Sequence, residues 1–199
     1  MINRVFYCLC LLSLITPLSL HSQVKKATNW KVFDTYEGQF RIEVPGGEMD
    51  RKEKVIHTEL GEIAYVTYVH QTPLKESENA LYIVSYCDYP ANSMHSDSLE
   101  LLEDFFSNTI EKASESVFGE VRYEDDIRYI DYPGKLFRID YRQGTATLKS
   151  KVFIVNNRFY NIQIATTKGK SLNNAADHFL DSFFLLSEDL SIFSEESKN

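Results

Sequence analysis

The chain has 199 residues, 43% hydrophobic and 25% charged, with 21 basic against 29 acidic side chains and a formal net charge of -8. That is a globular composition, long enough for one domain and short for two, and its 13 Phe, 12 Tyr and single Trp exceed what a disordered chain carries. Net acidity without a compact basic run leaves nucleic acid without the clustered Lys and Arg that phosphate binding requires.

Residues 1–22 read as a secretory signal. Arg4 forms a short basic region, Val5 to Leu20 an apolar run with Pro17 near its end, and His21, Ser22 and Gln23 a polar close. The run of about 16 residues is shorter than the roughly 20 that span a bilayer, so cleavage after Ser22 is expected, with an uncleaved anchor as the alternative. Cys8 and Cys10 lie early, behind Phe6 and Tyr7, which is not where a lipid-modified cysteine sits. Cleavage removes both and leaves Cys87 as the one thiol, so no internal disulfide can form and the core alone must hold the fold. Residues 23–29 read as a flexible leader, 30–186 as a single domain and 187–199 as a frayed acidic tail. An exported acidic domain is expected to avoid anionic lipid and to have no stable membrane insertion once the signal is gone.

In chain order, Phe40, Ile42 and Val44 alternate with Arg41 and Glu43 before Pro45, the period of a half-buried strand. Glu62 to His70 and Leu81 to Cys87 are apolar on both sides, which places them inside a covered sheet. A long helix follows. Asp97 can cap it with Glu100 three residues on, Gly119 can end it, and Leu99, Leu102, Phe106, Ile110, Ala113 and Val117 form its apolar stripe, widened by Leu101 and Phe105.

A meander comes next. A tight turn at Gln143 and Gly144 would oppose Arg142 to Thr145, Asp140 to Thr147 and Arg138 to Lys149 on one face. A second turn at Asn156 and Asn157 pairs Ile154 with Phe159 and Phe153 with Tyr160, on opposite faces. Both sides of the sheet therefore need cover. Behind Asn173 and Asn174, the residues Leu172, Ala176, Phe179, Leu180 and Phe183 follow helical spacing. The expectation is an α+β fold: an antiparallel sheet sandwiched between helices in a three-layer α/β/α arrangement.

Chemistry-bearing motifs are sparse. His57, His70, His95 and His178 show no metal-ligand spacing, so no metal and no cofactor are expected. The cluster Ser93, His95, Ser96, Asp97 and Ser98 is local in sequence, whereas members of a catalytic triad come from separated elements. Cys87 and His95 could approach across the loop between them, although Cys87 closes an apolar run and reads as a buried inert thiol. The meander register leaves Arg138, Arg142, Lys149 and Lys151 on one face, a candidate contact for an anionic partner partly neutralised by Asp140.

The strand ending in Pro (Phe40, Arg41, Ile42, Glu43, Val44, Pro45), the mid-chain amphipathic helix, the Arg158-Phe159-Tyr160 entry to a late strand and the closing Phe179 to Phe183 segment resemble the PsbP-like superfamily. The resemblance spans about Trp30 to Leu186 and implies a non-catalytic accessory or binding module, with no catalytic residues to carry over. With the signal, it points to an exported binding module of the cell envelope, periplasmic or secreted, with a protein partner. The alternative is a small exported hydrolase or ligand-binding enzyme using His70, Cys87 or His95.

Overall fold

The computed structural model describes residues 29–58, 61–73, 77–90, 93 and 99–186. The signal at 1–22, the leader up to residue 28, the tail at 187–199, the capping residue Asp97 and His95 lie outside the described residues. The elements are β1 (Trp30–Thr35), β2 (Phe40–Pro45), β3 (Asp50–Thr58), β4 (Gly61–Gln71), β5 (Asn79–Asp88), α1 (Leu99–Ser116), β6 (Glu120–Tyr129), β7 (Tyr132–Tyr141), β8 (Ala146–Val155), β9 (Arg158–Thr167), α2 (Asn174–Asp181) and β10 (Phe184–Leu185). A 3-10 turn, Lys168–Lys170, joins β9 to α2.

Seven antiparallel strands form the main sheet in the order β3-β4-β5-β9-β8-β7-β6, and β1-β2-β10 form a second, three-stranded sheet. β5 lies next to β9, so α1 carries the chain from the middle of the large sheet to its far edge, and the β6 to β9 meander returns. The expected registers hold. Asp140 faces Thr147 and Arg138 faces Lys149, while Ile154 faces Phe159 and Phe153 faces Tyr160.

Both faces of the large sheet are covered, as the pairing at Asn156–Asn157 requires, but not by two helical layers. The chain is mostly β, and the expected three-layer α/β/α sandwich is not what forms. The second cover is chiefly the small sheet, whose Phe40, Ile42 and Val44 are fully buried on the large one. The terminal helix is too short to do that work alone: α2 has eight residues, Leu172 is 91% exposed and precedes it, and Phe183 is buried just beyond its end. The strand at Phe40 to Val44 was legible; its role as a covering layer was not, because alternation shows that a face is buried without showing against what.

The small sheet is pinned at both ends of β2. Arg158 pairs with Asp88 and donates to the Glu37 carbonyl at 2.9 Å, and the Tyr160 hydroxyl donates to the Gly38 carbonyl at 2.9 Å. Gly38 is required there, since a Cβ would stand 2.8 Å from the Thr35 side chain. At the other end Ser182 Oγ accepts from the Glu43 amide at 3.0 Å. The Asn173 side chain caps α2 by accepting from the Ala176 amide at 2.7 Å, and its amide pairs with that of the fully buried Asn79 at the start of β5.

On the opposite face Leu102, Phe106 and Ile110 of α1 are buried against Phe137, Ile139, Val152, Ile154 and Phe159, with Phe105, Ala113 and Val117 half-buried beside them. Leu101 is 56% exposed and does not widen the stripe. The helix ends at Ser116, and its left-handed stop falls one residue before the expected glycine. Phe118 takes the left-handed position (φ 50) and donates to the Glu115 carbonyl, while Gly119 donates to that of Ser114. This is the hydrogen-bond pattern of a glycine-type helix stop carried by a phenylalanine.

Candidate functional site

The one surface for which the sequence supplied both residues and register is the β7–β8 hairpin. Its turn forms at Gln143 and Gly144, both with positive φ (56 and 77), and Thr145 donates to the Arg142 carbonyl at 3.2 Å. Positive φ at both central residues matches the twist of the flanking strands and fixes the register. Arg138, Asp140, Thr147, Lys149 and Lys151 then share the face on which α2 packs.

The four expected cations separate into two groups there. Lys149 Nζ meets Asp177 Oδ1 at 2.7 Å, and Lys151 pairs with Asp181. Asp177 and Asp181 stand one helical turn apart on α2, so the helix uses both lysines as a docking rail. Arg138 and Arg142 lie toward the hairpin tip. Arg138 Nε binds Asp140 Oδ1 at 2.9 Å, and the Arg142 guanidinium lies 5.9 Å from the centre of the Tyr141 ring.

Asp140 organises this second group. Its side chain is 5% exposed, yet it accepts from Thr147 Oγ1 at 3.2 Å and has Arg122 Nε at 3.4 Å and Lys168 Nζ at 3.6 Å from Oδ2. Burial works to raise its pKa, but hydrogen bonding and charge from Arg138, Thr147 and Lys168 outweigh burial and hold the carboxyl below its ordinary value. Arg122 also reaches Glu120 at 2.9 Å, and Glu120 is largely exposed. Arg122, Arg138, Arg142 and Lys168 thus stand against two carboxylates, a local positive excess on an acidic chain.

Arg122 and Lys168 were not identified from the sequence. Between Val121 opposite Ile139 and Tyr123 opposite Arg138, β6 has one residue more than β7, so Arg122 is the extra residue of a bulge. Bulges re-aim side chains in this way, and neither residue count nor hydropathy reveals them. Lys168 arrives because its amide donates to the Thr145 carbonyl at 2.9 Å, tying the end of β9 to the hairpin. Its nearness would have followed from continuing the β8–β9 register past Thr167. Gly119 packs on this group from the α1 side, where a Cβ would stand 2.9 Å from the Asp140 carbonyl and against Ile139.

The residues considered for catalysis are dispersed. Cys87 is 1% exposed in the α1-side core, and burial pushes its thiol up to about 12. His70 belongs to the opposite face, near Tyr82, with Nδ1 2.8 Å from the Glu48 carbonyl. The β3–β4 hairpin forms, but His57 opposes Glu62 while His70 lies at the far end of the strand, so the two do not meet. Among the described residues no group of three His, Cys, Asp or Glu side chains is arranged to hold a metal. No helix among them is long and apolar enough to cross a membrane.

No family model and no curated protein matches the chain. Among solved structures it is similar to cyanobacterial PsbP from Synechocystis, with a TM-score of 0.51 and 10% identity over 85% of this chain and 99% of that one. A protein of unknown function from Pseudomonas aeruginosa matches with a TM-score of 0.35 and 11% identity, over 71% of this chain and 85% of that one. The β1–β2 hairpin, the α1 crossover and the β6–β9 meander together give the chain a PsbP-like fold.

Proposed function

We propose that the protein is an exported, non-catalytic binding module of the cell envelope that presents the Arg122, Arg138, Arg142 and Lys168 cluster to an acidic protein partner. The observation that carries this reading is the buried Asp140. It gathers three cations within 3.6 Å and leaves a positive excess at the hairpin tip of a chain whose formal net charge is -8. A local positive region on an acidic molecule orients encounter with a negative surface and speeds association without demanding a large contact area. Lys149 and Lys151 hold α2 in this reading, and Arg142 and Lys168, both exposed, meet the partner. The PsbP-like fold and the signal-like N-terminus support the accessory and exported parts of the proposal, and the inert setting of Cys87 fits a protein without a nucleophile.

The test is charge reversal at the tip, Arg142→Glu with Lys168→Glu, on the full chain. A glutamate-rich peptide serves as the acidic probe, and association rates are followed across ionic strength. The proposal expects association to slow about tenfold at low salt and to lose most of its salt dependence. Unchanged rates and slopes would remove the cluster from consideration.

A further inference from the structure

Helix α1 stops in a way that folding alone does not favour. The residue in the left-handed conformation is Phe118 (φ 50); its amide donates to the Glu115 carbonyl at 3.1 Å, and that of Gly119 donates to Ser114 at 2.9 Å. Glycine takes this conformation without steric cost, whereas a side chain strains it. A bulky residue kept in a strained position is ordinarily held there by packing, yet Phe118 is 95% exposed, more than any other large apolar residue among those described. The close approach to β7 is made by Gly119, where a Cβ would stand 2.9 Å from the Asp140 carbonyl. That approach accounts for the glycine and leaves the phenylalanine unexplained.

The surroundings of Phe118 are those of the cation cluster. Glu120, two residues on, pairs with Asp140 across the β6–β7 ladder, so Phe118 stands at the Asp140 end of β7. Val121 opposes Ile139 of the α1-side core, and alternation puts Tyr141 on the same face. Val121 is exposed at the sheet edge and Tyr141 is half-buried, with the Arg142 guanidinium beside its ring. The carboxylates nearest in the chain are engaged: Glu115 Oε2 lies 2.7 Å from Lys112 Nζ, and Glu120 Oε1 lies 2.9 Å from Arg122. An exposed apolar ring thus borders the positive region.

We propose that Phe118 is the apolar anchor of the binding surface, and that the acidic partner carries bulky apolar side chains among its carboxylates. The inference rests on the cation-cluster reading and adds to it what holds the partner once charge has drawn it in. Arg122, Arg142 and Lys168 steer the encounter. The Phe118 ring, covered by an apolar side chain of the partner, then leaves water and slows dissociation. Interfaces concentrate their energy in a few aromatic and arginine side chains that exclude water together. A partner with carboxylates alone would leave this ring wet, and the strain at Phe118 would serve nothing.

The experiment measures the affinity of the full chain for two peptides, one glutamate-rich and one with the same glutamates interspersed with leucine, together with the melting temperature of Phe118→Gly. Wild type should bind the leucine-bearing peptide about tenfold more tightly, and that ratio should survive raised salt, because apolar burial is not screened. Phe118→Gly should abolish the ratio, keep the affinity for the glutamate peptide and melt at or above the wild-type temperature, since glycine relieves the left-handed strain. Equal binding of the two peptides by wild type overturns the anchor and leaves the cation cluster standing. A ratio retained by Phe118→Gly, or a variant that melts well below wild type, overturns it too. If neither peptide binds, the cluster reading falls and the anchor falls with it.

Discussion

On the side of the large sheet covered by the small sheet and α2, rings pack on rings. The Phe183 ring centre lies 5.5 Å from that of Phe40, 5.2 Å from Phe153, 5.4 Å from Tyr160 and 5.7 Å from Tyr129. On the α1 side the ring contacts centre on Phe105, 5.4 Å from Tyr89 and from Phe159 and 5.6 Å from Phe106, and the rest of that core is largely aliphatic. The difference follows from width. A helix with its side chains is about 10 Å across, whereas seven strands at about 4.8 Å spacing are roughly three times as broad. A sheet with a short helix beside it can seal a face that broad; one helix cannot. The polar row on this face, with Ser85, Ser150 and Asn161 all buried, stands at the margin of the α1 core.

The largest expected effect breaks the sealed face. Phe183→Ala should remove about 3–5 kcal/mol and lower the melting temperature by roughly 10 °C, as read by calorimetry. Phe105→Ala, at the half-buried margin of the α1 core, should lose clearly less. Equal losses would mean that the two faces are sealed alike.

A smaller effect comes from the charged tip. Asp140→Ala leaves Arg138 beside a void and should cost about 3 kcal/mol in urea unfolding. The pH dependence has a defined sign. The native carboxyl is held below its ordinary value, so the unfolded chain takes up its proton first as pH falls. The contribution is complete above the ordinary aspartate pKa of 3.8 and is lost as pH drops through the lower native value. Asp140→Asn should therefore flatten the acid limb of the stability profile. A limb of unchanged steepness would show that Asp140 is not the group that titrates there.

The meander was legible from sequence because turn residues and strand alternation agree on one register: Gln143-Gly144 and Asn156-Asn157 each leave a single pairing that keeps Phe137, Ile139, Phe153 and Tyr160 inside. Long-range placement was not. Nothing local says that β1 and β2 leave the main sheet to cover it, that Leu172 stays outside α2, or that a phenylalanine occupies the left-handed stop of α1 with Gly119 one step behind. The cation cluster was half legible. Arg138 and Arg142 follow from the hairpin, Arg122 depends on a bulge, and Lys149 and Lys151 are claimed by two aspartates of a helix whose docking the sequence did not specify. The polar row from Thr67 to Asn161 was invisible for the same reason: each residue is an ordinary interruption in an apolar run, and only the pairing of β4, β5 and β9 aligns them.

The central claim is that the face closed by the small sheet and α2 is the principal core of the fold and the α1 face the lesser one. The melting temperatures of Phe40→Ala and Phe106→Ala, each buried on its own face, test it most directly. The account predicts the larger fall for Phe40→Ala, toward the upper end of the roughly 3–5 kcal/mol such truncations cost. An equal or larger fall for Phe106→Ala would contradict it.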